Sequence, residues 1–119
     1  MRELKFRAWD KKRKNWVHGE RFRLSINGNI IFDFDIPADK ERFVVQQYTG
    51  LTDKNGVEIY EGDIVEYYSG EHARSPFWTR VIEWRDSSVV IGFNFGKRQS
   101  SSSYHVVIGN IYENPELLK

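Results

Sequence analysis

Residues 48–67 read YTGLTDKNGVEIYEGDIVEY, and this stretch decides how the chain folds. Its acids are Asp53, Glu58, Glu61, Asp63 and Glu66, and its glycines are Gly50, Gly56 and Gly62. In DKNG, an aspartate can accept backbone N–H bonds across a turn, and asparagine and glycine tolerate positive φ. Gly62 permits a second change of direction before the alternating segment DIVEYY. We therefore interpret the stretch as two glycine-assisted corners leading into a strand, with Glu58, Glu61 and Glu66 on the solvated face.

Apolar and polar residues alternate with a period of two along most of the chain, and helical periodicity is nearly absent. In LKFRAW, Leu4, Phe6 and Ala8 share one face of a half-buried strand. After residue 63, short extended segments recur between turn residues: DIVEYY, FWTRVIEW, VVIGFNF and YHVVIGN. This spacing predicts an all-β fold, with a β segment of two hairpins over residues 1–46 and a small barrel over residues 47–119. The final NPELL predicts one helical turn that Asn114 caps.

The second hairpin offers a choice of register around Asn27 and Gly28. A two-residue loop would pair Ile26 with Asn29, which places apolar and polar side chains on the same face. A three-residue loop over residues 27–29 instead makes only apolar pairs, which are Ile26 with Ile30, Leu24 with Phe32, and Phe22 with Phe34. We therefore expect the three-residue loop.

The composition indicates a folded chain and excludes several kinds of site. The 119 residues are 39% hydrophobic and 15% aromatic, which argues against disorder. The absence of cysteine excludes disulfides, thiolate metal ligands and cysteine nucleophiles. No apolar run approaches the roughly 20 residues that span a bilayer, and MRELKFRAWD lacks the apolar core of a signal peptide. We expect a cytoplasmic protein without membrane attachment.

Charge is distributed unevenly along the chain. Residues 1–23 contain nine bases and three acids, a net charge of +6, so the remainder carries −5 of the total +1. A basic hairpin end, DKKRKN, lies in the first part, between two tryptophans. Cations beside aromatic rings suit phosphates and bases. The residues of this candidate nucleic-acid site are Trp9, Lys11, Lys12, Arg13, Lys14, Trp16, Arg21 and Arg23.

A structural role explains the same hairpin. Lysines at hairpin ends and sheet edges prevent strands of different molecules from pairing, and tryptophans are common core residues. The sequence pI of about 8.0 is also below the value above about 9 that is typical of nucleic-acid-binding domains. Both interpretations remain open from the sequence.

No catalytic or metal-binding pattern is present in the sequence. Asp53 and Asn55 supply only the first two ligand positions of an EF-hand loop, because Gly56 follows at once. The three histidines, His18, His72 and His105, lie in different segments without zinc or triad spacing. There is no phosphate-binding loop and no nucleophile elbow. We expect no cofactor and no metal.

Three blocks of the sequence resemble the YopX family of small proteins encoded by bacteriophages and prophages. The blocks are MRELKFRAWD, QYTGLTDKNGVEIYEGDIVEY and VVIGNIYENPELL, and they span nearly the whole chain. The resemblance implies an all-β protein whose C-terminal part is similar to an SH3-type barrel, and it implies possible self-association. It implies no enzymatic activity, cofactor or catalytic residue.

The leading hypothesis is a non-catalytic, phage-encoded binding module whose partner is an unidentified phage or host protein. Its candidate contact residues are aromatic: Tyr67, Tyr68, Phe77, Trp78 and Trp84. Nucleic-acid binding through the basic hairpin is the alternative. A third hypothesis is a hydrolase that uses Asp53, Glu61 or Asp63.

Overall fold

The structure, a computed structural model, describes residues 5–18, 22–24, 30–32, 41–86, 91–96 and 101–118. The chain divides into two compact units, Met1–Tyr48 and Thr49–Lys119, which we call unit 1 and unit 2. No α-helix occurs in the described ranges, so the all-β prediction is confirmed. Nor do these residues contain a helix of the length and apolar character needed to cross a membrane. The SH3-type barrel stays a prediction.

The described strands are short, with one exception. They are β1 (Phe6–Asp10), β2 (Asn15–His18), β3 (Phe22–Leu24), β4 (Ile30–Phe32), β5 (Phe43–Thr52), β6 (Glu58–Tyr60), β7 (Asp63–Tyr68), β8 (Trp78–Val81), β9 (Trp84–Asp86), β10 (Ile91–Phe93) and β11 (Tyr104–Asn110). A 3-10 helix follows at Pro115–Leu118. The long strand β5 runs from unit 1 into unit 2.

In unit 1, strand β1 pairs antiparallel with β2 on one side and with β5 on the other. Ala8 lies opposite Val17 and Val45 and is fully buried, and Phe6 and Phe43 also pack on it. A small side chain at this position lets larger side chains from both neighbouring strands meet above it. The strand predicted from LKFRAW is therefore confirmed from Phe6 onward.

The hairpin between β1 and β2 ends in an exposed turn at residues 11–14, as the run DKKRKN predicts. Lys14 has φ of 56° and donates its N–H to the carbonyl of Asp10 at 2.7 Å. The N–H of Lys11 points to the other side and donates to the carbonyl of Arg42 at 2.9 Å. The second of these bonds ties the turn to the residue that precedes strand β5.

Strands β3 and β4 form the second hairpin, but the predicted register is wrong by two residues. Leu24 pairs with Ile30 and Phe22 with Phe32, whereas the prediction joined Leu24 to Phe32. A shift of two residues preserves the alternation of faces, so the apolar pattern cannot distinguish these registers. The predicted partners Ile26 and Phe34 lie outside the described residues.

In unit 2, strand β7 lies between β11 and β8 in a three-stranded antiparallel sheet. Val65 on this strand, Ile59 on β6 and Ile82 after β8 are fully buried and form the core. Half-buried side chains surround them: Trp78, Phe93, Phe95 and Val107. The series of alternating strands predicted after residue 63 therefore builds this core, except at one point.

That exception is the segment FWTRVIEW, which was predicted as one strand and is two, β8 and β9. Asn94 explains the break, because its Oδ1 accepts the N–H of Glu83 at 2.7 Å and its Nδ2 donates to the carbonyl of Val81 at 3.0 Å. A side-chain amide thus bonds the backbone where a continued strand would have been expected.

The stretch at residues 48–67 contains both glycine corners that the sequence predicts. Gly56 has φ of 81° and Gly62 has φ of 87°. The segment before them was not foreseen, since YTGLT continues strand β5 and Gly50 keeps a φ of 89° within it. The short strand β6, between the two corners, was also missed.

The second corner, Gly62 and Asp63, connects four parts of unit 2. Gly62 donates its N–H to the carbonyl of Ile82 at 2.7 Å and accepts the N–H of Ile111 at 3.0 Å. The carbonyl of Asp63 accepts the N–H of Ile82 at 2.9 Å, and its carboxylate binds β6 and β11 as described below. A positive φ at Gly62 is needed to aim all of these groups.

The chain after β11 folds back over Gly109 of that strand and enters the predicted helical turn. A Cβ at Gly109 would lie 2.6 Å from a methyl of Leu117 and 2.8 Å from Oδ1 of Asn114, so any larger residue would displace these side chains. Asn114 precedes the 3-10 helix as predicted, but its Oδ1 accepts the N–H of Asn110 at 3.2 Å rather than an N–H of the helix. Its backbone carbonyl accepts Leu117 N–H.

Replacing Gly62 tests the importance of the corner. We expect Gly62→Ala to lower the free energy of unfolding by about 1–2 kcal/mol, because a side chain disfavours positive φ by that amount. Gly70→Ala is the matched control, since its added Cβ would make only an ordinary contact with Ser102 at 3.6 Å. Urea unfolding that gave equal losses for both variants would contradict this role.

Candidate functional site

The four cations of the first hairpin turn, Lys11, Lys12, Arg13 and Lys14, are all exposed, and we call them the basic tip. The carboxylate of Asp10 organises the backbone beneath them. Its Oδ1 accepts the N–H of Lys12 at 3.0 Å and the N–H of Arg13 at 3.1 Å. The turn is therefore held by bonds between its backbone N–H groups and the Asp10 carboxylate, and its cationic side chains take no part in holding it.

Asp10 is only 3% exposed, and its charge is balanced by Arg42. The Arg42 guanidinium donates from Nε to Oδ1 and from Nη2 to Oδ2, both at 2.8 Å. This bidentate pair, with the N–H groups of Arg13 and Lys12, holds the pKa of Asp10 well below its usual range, although burial opposes the shift. The charge of Asp10, at the base of the basic tip, is thus already balanced by Arg42.

The two tryptophans flanking the basic tip face each other across β1 and β2, but they are not open rings. Trp9 is 5% exposed, and its ring meets that of Trp16 edge-on with centroids 4.9 Å apart. The Arg7 guanidinium lies 3.8 Å from the ring centroid of half-buried Trp16. Arg7 was missed by the sequence reasoning, although its position two residues before Trp9 places both on one strand face.

The remaining residues of the predicted nucleic-acid site fall outside this description. Arg21 lies outside the described residues, and at Arg23 only the backbone position, opposite Ile31, is described. Their relation to the basic tip stays a prediction.

A second candidate surface lies on the sheet of unit 2, where Tyr67, Phe77, Trp78, Phe95 and His105 form what we call the aromatic cluster. Tyr67 is buried at its centre, and its ring stacks on Trp78 with centroids 5.2 Å apart and planes at 22°. The ring of His105 lies 5.0 Å from Tyr67 and 5.3 Å from Phe95. His105 and Phe95 were missed, but the pairing of β11 with β7 sets His105 opposite Tyr67.

Phe77 is the exposed member of the aromatic cluster. It is 61% exposed, and its ring packs edge-on against Tyr67 at 6.2 Å. Its backbone N–H donates to the carbonyl of Tyr67 at 2.6 Å. On β8, the exposed Arg80 guanidinium lies 4.4 Å from the Trp78 ring and donates to the carbonyl of Asn94 at 3.2 Å. Both an exposed apolar side chain and an exposed cation thus contact rings of the aromatic cluster.

Two of the predicted contact residues make other contacts. Tyr68 follows Tyr67 on β7 and so points to the opposite face, where it stacks on Tyr104 with centroids 4.9 Å apart. Burial, and then its hydrogen bond to Glu66 at 3.1 Å, raise the pKa of Tyr68. Trp84 is exposed and packs edge-on against Phe93.

The aspartates of the opening stretch perform the turn role that the sequence predicts, but they are buried. Oδ1 of Asp53 accepts the N–H groups of Asn55 at 2.8 Å and Val57 at 2.9 Å, and Oδ2 accepts that of Val107 at 3.0 Å. Asp63 accepts the N–H of Tyr60 and the side-chain amide of Asn110, each at 2.8 Å.

Glu61, the third acid of the hydrolase hypothesis, is half-buried in the turn between β6 and β7. No group of three or more histidines and acids with metal-binding geometry occurs among the residues that the structure describes. The described residues therefore provide no arrangement of acids that supports the hydrolase hypothesis.

Substitution of Asp53 tests its role as a backbone acceptor. We expect Asp53→Ala to lower the free energy of unfolding by about 2–4 kcal/mol, because three N–H groups lose a partially buried acceptor. Asn55→Ala is the control, since Asn55 contributes its backbone N–H and its side chain is exposed. Urea titration showing no difference between these variants would refute the assignment.

The Asp10–Arg42 pair predicts a pH dependence. Because the folded-state pKa of Asp10 is lowered, its contribution is complete above the unfolded pKa of about 4 and is lost as pH falls toward the folded value. At neutral pH we expect Asp10→Asn to lower the free energy of unfolding by about 1.5–3 kcal/mol through the lost charge-assisted bonds. The difference from the wild type should shrink below about pH 4.

Urea unfolding at several pH values measures this difference, and Glu113→Gln, at an exposed acid, is the control. A difference between Asp10→Asn and wild type that grew on acidification would have the wrong sign for a lowered pKa.

Comparisons with known proteins agree with the sequence blocks. The chain is similar over its whole length to the protein in the crystal structure of protein EF1440 from Enterococcus faecalis, with 29% identity, a TM-score of 0.63 and 100% of each chain covered. A search of curated proteins gave no match. The model of the YopX protein family matches residues 5–119, which is nearly the whole chain. With these blocks and this all-β fold, the chain belongs to the YopX family.

Proposed function

We propose that this protein is a non-catalytic module that binds another protein through the aromatic cluster of unit 2. The observation that carries the proposal is Phe77, which is 61% exposed yet packed on the buried Tyr67. Full burial of a phenylalanine side chain is worth roughly 1.5–3 kcal/mol, and the exposed part of Phe77 leaves somewhat more than half of this for a partner to supply. An isolated exposed apolar residue is common, but this one adjoins a stacked set of aromatic rings.

The environment of Phe77 favours binding because its backbone is already ordered. Its N–H bond to Tyr67 and the edge-on ring contact restrict the side chain before any partner arrives. Less conformational entropy is then lost on association, which is how preorganised contacts gain affinity. Aromatic and arginine side chains are also the residue types that most often dominate interface energies.

The chemistry of the partner follows from Arg80. Its guanidinium lies 4.4 Å from the centroid of the Trp78 ring and uses one donor on the Asn94 carbonyl. The planar fork retains further donors suited to a carboxylate. The partner segment that fits this surface therefore presents an apolar side chain to Phe77 and an aspartate or glutamate to Arg80.

The setting of this activity is also a proposal. Membership of the YopX family supports a phage or prophage origin, and the partner would then be a phage or bacterial host protein in the cytoplasm. An SH3-type arrangement of the unit 2 strands would suit such a role, because small barrels bind partners with exposed side chains of strands and loops.

Photo-crosslinking tests the proposal. A benzoylphenylalanine introduced at position 77 is expected to cross-link a protein in host cells, and mass spectrometry should locate the bond beside an acidic residue of that partner. The isolated partner should then bind Phe77→Ala at least about tenfold more weakly than wild type, as expected for a loss of about 1.4 kcal/mol or more.

Leu51→Ala is the matched control, because Leu51 is 48% exposed on β5 and lies in a different segment. Equal weakening by Phe77→Ala and Leu51→Ala would contradict a site at the aromatic cluster. A cross-link only to a second copy of the chain would replace the proposed partner with self-association.

A further inference from the structure

We infer that the basic tip is a second, independent binding site that holds the phosphate backbone of a nucleic-acid duplex. Four consecutive cations lie on one exposed turn, which is Lys11, Lys12, Arg13 and Lys14. In the described part of the chain, none of these side chains forms an ion pair. Their charge is thus available to a polyanion.

The surroundings of the basic tip add to its charge. Among the unit 1 residues whose side chains are described, seven are basic and two are acidic, a net charge of +5. One of these acids, Asp10, is buried and paired with Arg42. Among these described side chains, the charge that an approaching anion meets is therefore mostly positive.

The construction of the turn also favours a binding role. Because Asp10 holds the N–H groups of Lys12 and Arg13, the backbone of the turn is fixed without help from the cationic side chains. Lysines that served only to prevent the sheet edges of different molecules from pairing would not need a turn backbone fixed in this way. A preformed turn presents its cations at set spacings and loses little entropy on binding.

The mode of binding is decided by the neighbouring aromatic rings. Single-strand binding depends on open aromatic faces on which bases stack. Trp9 is buried, and Trp16 is half-buried beside Arg7 and Trp9, so neither offers an open face. Contacts with phosphates, which carry no sequence information, are then the chemistry available to this site.

Salt dependence provides the test, with fluorescence anisotropy of labelled duplexes and the full chain. Four phosphate contacts predict that the logarithm of the association constant falls with the logarithm of salt concentration at a slope of about −3.6. The double variant Lys12→Gln/Arg13→Gln should make this slope shallower by about 1.8. Its fold should be unchanged, because both residues bond Asp10 through their backbones.

The matched control is Arg74→Gln/Arg85→Gln, which removes the same charge from exposed positions of unit 2. Its slope should equal that of wild type. If the salt slope of wild-type protein is the same on duplex DNA and on duplex RNA, the site recognises the phosphate backbone that the two share. If only one of the two duplexes binds with this salt dependence, the site is selective for that duplex.

Four results would overturn the inference. They are the absence of duplex binding at low salt, an equal change of slope in both double variants, tighter binding to single strands than to duplexes, and tighter binding to phosphatidylserine-containing vesicles than to duplex DNA. None of these measurements depends on Phe77, so the outcome is separate from that of the proposed protein partner.

Discussion

The carboxylate of Asp63, which is 3% exposed, connects elements of unit 2 that lie at different places in the sequence. It bonds the backbone of Tyr60 on β6 and the side chain of Asn110 at the end of β11. Its own backbone bonds Ile82. A buried carboxylate that lost these donors would retain the cost of desolvation without compensation, so the surrounding strands can occupy few other arrangements.

The same physical device recurs at the other turns. Asp53 holds the DKNG turn and reaches Val107 on β11, while Asp10 holds the turn beneath the basic tip. Asp10 is in addition paired with a cation, the guanidinium of Arg42. These aspartates are buried and bonded to backbone N–H groups, so they expose little negative charge to solvent although the stretch is rich in acids. This explains why the acidic stretch does not assemble as a carboxylate site among the described residues.

Local chemistry made the corners predictable from the sequence. The positive φ of Gly56 and Gly62 follows from the turn chemistry of DKNG and EGD. What depended on distant residues was not predictable. The β3–β4 register was wrong because a shift of two preserves the pattern, the β8–β9 break depends on Asn94, and Arg7 and His105 join their clusters through strand pairing.

The two candidate surfaces differ in the physics that governs them. At the aromatic cluster, association would draw on the burial of Phe77, which salt does not screen. At the basic tip, the attraction is electrostatic and is screened over about 10 Å at 0.1 M salt. Ionic strength therefore acts on the basic tip and on the proposed ionic contact of Arg80, and leaves the burial of Phe77 nearly unchanged. The affinity of the protein partner should then fall with salt only as far as the Arg80 contact weakens, and the affinity that remains at high salt would reflect the burial of Phe77.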